Sequence, residues 1–107
     1  ATIAQEGLPI KILLLNNNFL GMVRQWQQLF FENRYSFVDL KNPNFVMLSQ
    51  AYGIPASKVE ARENLEAGIS AMLSAKGPYL LEVVVEKEQN VFPMVPAGAS
   101  VSDIRLD

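Results

Sequence analysis

The sequence predicts an α/β fold: a three-layer αβα arrangement around a mostly parallel sheet. Two observations carry this expectation. Two near-continuous apolar runs, at residues 10–15 and 79–85, lack the alternation of a half-solvated strand and read as strands covered on both faces. Between them lie stretches with helical apolar spacing, set off by Asn, Gly and Pro, giving the order strand, helix, helix, short strand, helix, strand. Such alternation is the signature of parallel crossover units.

Taken in order, residues 1–7 read as the last turns of a helix, with Gly7 as the C-terminal stop and Pro9 beyond it. They have neither the basic nor the apolar region of a signal peptide, and a chain that starts inside a helix suggests further sequence upstream. The first strand ends at Asn16-Asn17-Asn18, a residue type suited to turns and helix N-caps because its side chain bonds nearby backbone groups. Met22, Val23, Trp26, Leu29 and Phe30 then define one apolar face of a helix over residues 20–31. Arg24 and Gln25 fall off that face and are expected in solvent or at an interface.

Residues 32–42 read as a loop anchored by Tyr35 and Phe37. Asn42-Pro43 is expected to start a helix, as N-cap and first-turn proline. Phe45, Leu48 and Tyr52 carry that helix, which Gly53 stops. A short strand containing Val59 is expected at 57–60. Leu65, Ile69, Met72 and Leu73 mark a further amphipathic helix ending near Gly77-Pro78. From Asn90 onward Pro93, Pro96 and Gly98 break any period, so residues 90–107 read as an irregular arm after an α/β part at 1–89. No apolar run approaches the ~20 residues of a bilayer span.

With 107 residues the chain forms one domain at most. A net charge of −2 gives no electrostatic case for a nucleic-acid or anionic-membrane partner. The chain has no cysteine, which removes disulfides and thiolate metal sites and fits a reducing compartment. It also has no histidine, the commonest general base and metal ligand. Its chemistry therefore rests on carboxylates, amides or a cofactor.

Parallel sheets bind ligands at the carboxyl ends of their strands, which singles out Asn16-Asn17-Asn18. For an arbitrary α/β protein the triplet is more often a helix cap or turn. The functional reading is an amide oxygen on a hard divalent cation such as Mg²⁺, shared with a phosphate that faces the N-terminus of the following helix. Gly21 would let backbone approach that ligand closely. For Met22, Val23 and Trp26, core packing and the wall of a substrate pocket both remain open. The acidic stretch from Glu82 to Glu88 reads as a strand end, not a metal cluster.

The segment Leu14-Leu15-Asn16-Asn17-Asn18-Phe19-Leu20-Gly21-Met22-Val23-Arg24-Gln25-Trp26-Gln27 resembles the catalytic subunit of acetohydroxyacid synthase, also called acetolactate synthase. The likeness continues through Asn42-Pro43-Asn44-Phe45, Gly77-Pro78-Tyr79-Leu80-Leu81 and Phe92-Pro93-Met94-Val95-Pro96. The Asn-Asn pair alone is common to thiamine diphosphate enzymes, whereas Gly-Met-Val-x-Gln-Trp is far more specific. The resemblance implies that residues 1–89 are the C-terminal part of a thiamine diphosphate-binding domain, and that within the irregular arm at 90–107 the tail around Met94 to Ser100 resembles an arm that closes over the active site.

It further implies Mg²⁺ ligation by the Asn17 side chain and the Phe19 main-chain carbonyl, and cofactor contact by Gly21 and Met22. Val23 and Trp26 would shape the substrate pocket, with no catalytic residue in this chain itself. Family members often carry a polar residue where Phe19 stands, but a main-chain ligand does not require one. The family's Gly-Asp-Gly stretch is absent and is expected upstream of Ala1; the catalytic glutamate and the FAD-binding domain would lie elsewhere in the parent enzyme. Implied partners are small 2-keto acids, further catalytic subunits in a homodimer or tetramer, and a regulatory subunit, in the cytoplasm for a bacterial type. Another thiamine diphosphate-dependent carboligase, decarboxylase or pyruvate oxidase, or a non-catalytic dimerising module, is the competing expectation.

Overall fold

The computed structural model describes all residues from 1 to 107. The elements are α1 (Thr2–Gln5), β1 (Lys11–Asn16), α2 (Gly21–Phe30), α3 (Phe45–Ala51), β2 (Ala56–Val59), α4 (Leu65–Ser74) and β3 (Tyr79–Val84), with 3-10 turns at Arg62–Asn64 and Val101–Asp103. All three strands are parallel in the order β1-β3-β2, with Leu13 beside Leu81 and Val59 beside Val83. The expected α/β class with a parallel sheet is thus observed. No helix is long and apolar enough to cross a membrane.

The chain divides into two compact units: residues 1–18 with 41–86, and residues 19–40 with 87–107. The first is an αβα sandwich. Side chains alternate across a strand, so Leu81, Val83 and Val59 share one face, where Met72, Leu65 and Ile69 of α4 cover them. Ile12 and Leu80 lie on the opposite face with Phe45, Leu48 and Tyr52 of the α3 region. α4 approaches its face closely through Gly68, where a Cβ would come within 2.7 Å of Val59 Cγ2. Lys11 Nζ donates to the carbonyl oxygens of Ala75, at 2.6 Å, and Gly77. It thereby places a cation beyond the C-terminal end of α4, where free carbonyls favour one.

The second unit holds α2, the loop after it and the C-terminal arm. Leu20 N–H donates to Val38 O at 2.9 Å, beside an isolated bridge between Phe19 and Asp39. In the arm, Met94 and Arg105 pair in a second isolated bridge.

Four expectations need correction. First, β1 is not covered on both faces: Leu13 and Leu15 are exposed, because β1 pairs only with β3 and α4 covers β3 and β2. Second, the buried residues of α2 are Arg24 and Gln25, while Met22, Val23 and Phe30 are exposed. Their polar groups are satisfied locally, as described below, which is what permits their burial. Third, Phe37 does not anchor its loop. It has φ +53°, and its side chain is 97 % exposed, leaving Val38 to take the buried position. Fourth, the α3 N-cap is Asn44, whose side chain accepts from Met47 N–H at 3.0 Å; Asn42 is used elsewhere.

Candidate functional site

The asparagine triplet does not cap a helix. The N-cap of α2 is Leu20, with no side-chain cap bond. Asn16 instead ends β1 and is buried, with both ends of its amide engaged. Its Nδ2 donates to Glu82 Oε1 at 2.7 Å, while its Oδ1 accepts from Asn18 N–H at 2.9 Å and Asn42 Nδ2 at 3.0 Å. Asn42 Nδ2 also reaches Asn18 Oδ1 at 3.1 Å. Asn18 sits at φ +58°, a left-handed conformation that asparagine tolerates better than most residues. A tight turn of defined path results.

This turn borders a cleft of about 300 Å³ lined by Asn16, Asn18, Asn42, Asn44, Lys58 and Glu82, together with Pro43. Asn16, Glu82 and Lys58 occupy the C-terminal half of the sheet face whose N-terminal half carries Ile12 and Leu80. One face is thus apolar at one end and polar at the other. Lys58 Nζ contacts Glu60 Oε1 at 2.7 Å. That bond raises the Lys58 pKa above its usual 10.5, against an opposing effect of desolvation, and the charges of Glu60 and Glu82 act in the same direction as the bond.

Asn17, the expected metal ligand, follows Asn16 directly and is half-buried in the first unit. Phe19, Gly21, Met22, Val23 and Trp26 belong to the second unit. There Gly21 is the first residue of α2, Met22 and Val23 lie on its exposed side, and Trp26 is half-buried with its ring 5.0 Å from that of Phe30. No group of three or more His, Cys, Asp or Glu residues is placed to hold a metal ion.

Beside these residues, α2 carries two polar side chains that its apolar spacing does not reveal. Gln25 is 1 % exposed; its Nε2 donates to Val91 O at 3.0 Å and to Met94 Sδ at 3.2 Å, and its Oε1 accepts from Val91 N–H at 2.8 Å. The Arg24 guanidinium lies 4.5 Å from the Tyr35 ring centre and 5.7 Å from that of Phe19. It also approaches Glu88 Oε1 at 3.8 Å. Both residues tie α2 to segments of its own unit. Sequence reasoning missed Glu82 and Asn42 as well. For Glu82 a signal existed: a lone carboxylate inside an apolar strand demands a buried partner.

The family "Thiamine pyrophosphate enzyme, C-terminal TPP binding domain" matches residues 1–83. The chain belongs to this family. Thiamine pyrophosphate is the same molecule as thiamine diphosphate. Among similar proteins, the mitochondrial acetolactate synthase of Schizosaccharomyces pombe is 52 % identical over 99 % of the chain and 16 % of its own length. The large subunit of acetolactate synthase isozyme 2 from Escherichia coli is 49 % identical over 96 % of the chain and 19 % of its own length. The chain therefore spans less than a fifth of the relatives it matches. A solved thiamine diphosphate-dependent 4-hydroxybenzoylformate decarboxylase from Rhodococcus jostii RHA1 superposes with a TM-score of 0.69. It is 27 % identical and covers 79 % of this chain and 16 % of that one.

Proposed function

We propose that the chain is the C-terminal part of the thiamine diphosphate-binding domain of an acetolactate synthase. The full enzyme would decarboxylate pyruvate and join the two-carbon unit to pyruvate or 2-ketobutyrate in branched-chain amino-acid synthesis. The observation that carries this reading is the identity of 52 % and 49 %, over almost the whole of this chain, to parts of two acetolactate synthases. The span compared takes in 99 % of the chain in the first of these, and so includes Gly21-Met22-Val23 and Gln25-Trp26.

Mg²⁺ suits the chemistry of the proposed donors. It takes hard oxygen ligands and is often shared with phosphates, and the amide oxygen of Asn17 and the main-chain carbonyl of Phe19 are such donors. Asn16 is unsuited, because its Oδ1 already accepts two hydrogen bonds. Gly21 and Met22 would lie against the cofactor, and Val23 and Trp26 would bound the second-substrate pocket. When bound, thiamine diphosphate supplies the electron sink that decarboxylation of a 2-keto acid needs. This chain's part is to bind, orient and exclude water. FAD would be held by a domain outside it, and the assembly would contain two or four catalytic subunits with a regulatory partner.

The test uses the full-length protein with pyruvate and with pyruvate plus 2-ketobutyrate. Acetolactate formation is expected, lost in Asn17→Ala. Trp26→Leu is expected to lower the preference for 2-ketobutyrate by roughly tenfold or more, the scale of one to two methylenes in an apolar pocket. Release of acetaldehyde without acetolactate would support instead a decarboxylase, the class of the solved structural neighbour. An unchanged keto-acid preference in Trp26→Leu would remove that residue from the pocket.

A further inference from the structure

Glu82 stands where a carboxylate is least expected. It lies in the central strand β3, is 4 % exposed, and is flanked in sequence by Leu81 and Val83 of the apolar core. Burying such a group costs free energy unless it is partnered, so a purely packing role would be better served by an aliphatic residue. Its hydrogen-bond partner is Asn16 Nδ2, at 2.7 Å, from a residue 66 positions away in the chain.

That contact does more than satisfy Glu82. An asparagine amide has a donor end and an acceptor end, and a carboxylate can only accept. Glu82 therefore selects the orientation in which Asn16 turns Nδ2 toward β3. The opposite end, Oδ1, is then directed at the turn, where it receives the N–H of Asn18 and the amide of Asn42. The Asn18 bond closes a loop of backbone around residue 17, with Asn18 held at φ +58°. Reversing the Asn16 amide would face an N–H₂ group with two donors and open that loop.

We propose that Glu82 is a positioning residue for the divalent cation: acting through Asn16, it fixes the turn that carries Asn17. The inference rests on the reading of Asn17 as a metal ligand. Glu82 does not touch the cation; it sets the backbone from which the ligand projects.

The experiment measures Mn²⁺ binding to the full-length protein in the presence of thiamine diphosphate, by the electron paramagnetic resonance of free Mn²⁺. Glu82→Ala is expected to weaken binding by about 10- to 100-fold, the usual effect of losing a group that orients a metal ligand. Glu82→Gln, which can still present an acceptor but no longer enforces one orientation, is expected to fall in between. Leu81→Ala, a cavity in the same strand, is expected to lower the melting temperature while leaving Mn²⁺ affinity within about twofold of the parent. Parent-like affinity in Glu82→Ala, or an equal loss in Leu81→Ala, would overturn the proposal. If Glu82→Ala does not fold, Glu82→Gln decides, with a loss of about threefold or more in support and parent-like affinity against. Asn17→Ala separates the two levels. If it binds Mn²⁺ like the parent, the ligand reading fails and this proposal with it; if it alone loses binding, only the role of Glu82 fails.

Discussion

Gln25 illustrates how one side chain substitutes for secondary structure. Its amide meets both the N–H and the C=O of Val91, as a neighbouring strand would, and so satisfies backbone groups in an arm with no sheet partner at that point. An intramolecular hydrogen bond of this kind contributes about 0.5–1.5 kcal/mol net. In Gln25→Leu both bonds go, and local opening of the arm becomes easier. Hydrogen exchange of peptides covering residues 87–95 in the full-length protein is expected to accelerate by about tenfold or more, since ~1.4 kcal/mol corresponds to one decade. Gln25→Glu retains an acceptor for Val91 N–H and should accelerate exchange less. Unchanged exchange in the leucine variant would mean that the arm is held by other contacts. The neighbouring residue, Trp26, carried the resemblance, but the burial of Gln25 was not legible from spacing. A polar residue beside an apolar stripe reads as solvated until its partner, 66 positions on, is known.

Among the elements, the strands were the most legible. β3 lies between two neighbours and under α4, so its apolar run reports its environment directly. β1 carries the same kind of run at an edge, and there the pattern overstated its cover. Helix α3 was placed correctly, but its cap was not. Asn42 and Asn44 flank Pro43 and are equally good capping residues by type, and only the long-range bonds from Asn42 to Asn16 and Asn18 set it apart from the cap, Asn44. The same limit hid the partner of Glu82, though not the oddity of a carboxylate in that strand. Local rules see neighbours in sequence, whereas this site is tied together by contacts 24 to 66 residues apart.

Helix α4 gives a test of close packing at this scale. Helix propensity favours alanine over glycine by about 1 kcal/mol, so Gly68→Ala would stabilise an isolated helix. Here the new Cβ would meet Val59 Cγ2 at 2.7 Å, well inside the ~3.5–4.0 Å of ordinary carbon contact. Valine is stiff at χ1 and cannot turn away freely. Overpacking of this kind costs about 1–3 kcal/mol, so the net change is expected to be destabilising by roughly 1 kcal/mol. Thermal unfolding of the full-length variant should show a lower melting temperature, and a higher one would mean that α4 shifts outward without penalty.

At the scale of the whole chain, the exposed apolar surface is not scattered at random. Leu13 and Leu15 point to the same sheet face as Leu81 and Val83, their partners in register, yet α4 covers only the latter pair. β1 also has one side of its backbone unpaired within the sheet. An open edge strand beside uncovered leucines is a template for association. The 107-residue chain, produced by itself, is therefore expected to self-associate, with a mass above one chain that rises with concentration in size-exclusion chromatography with light scattering. Charges on that face should oppose stacking without touching the covered core. The double variant Leu13→Lys with Leu15→Lys is accordingly expected to move toward monomer at the same concentration. A monodisperse monomer for the unmodified chain would contradict the argument. Association that persists in the double variant would place the contact on another face, such as that of Met47 and Leu48 on α3.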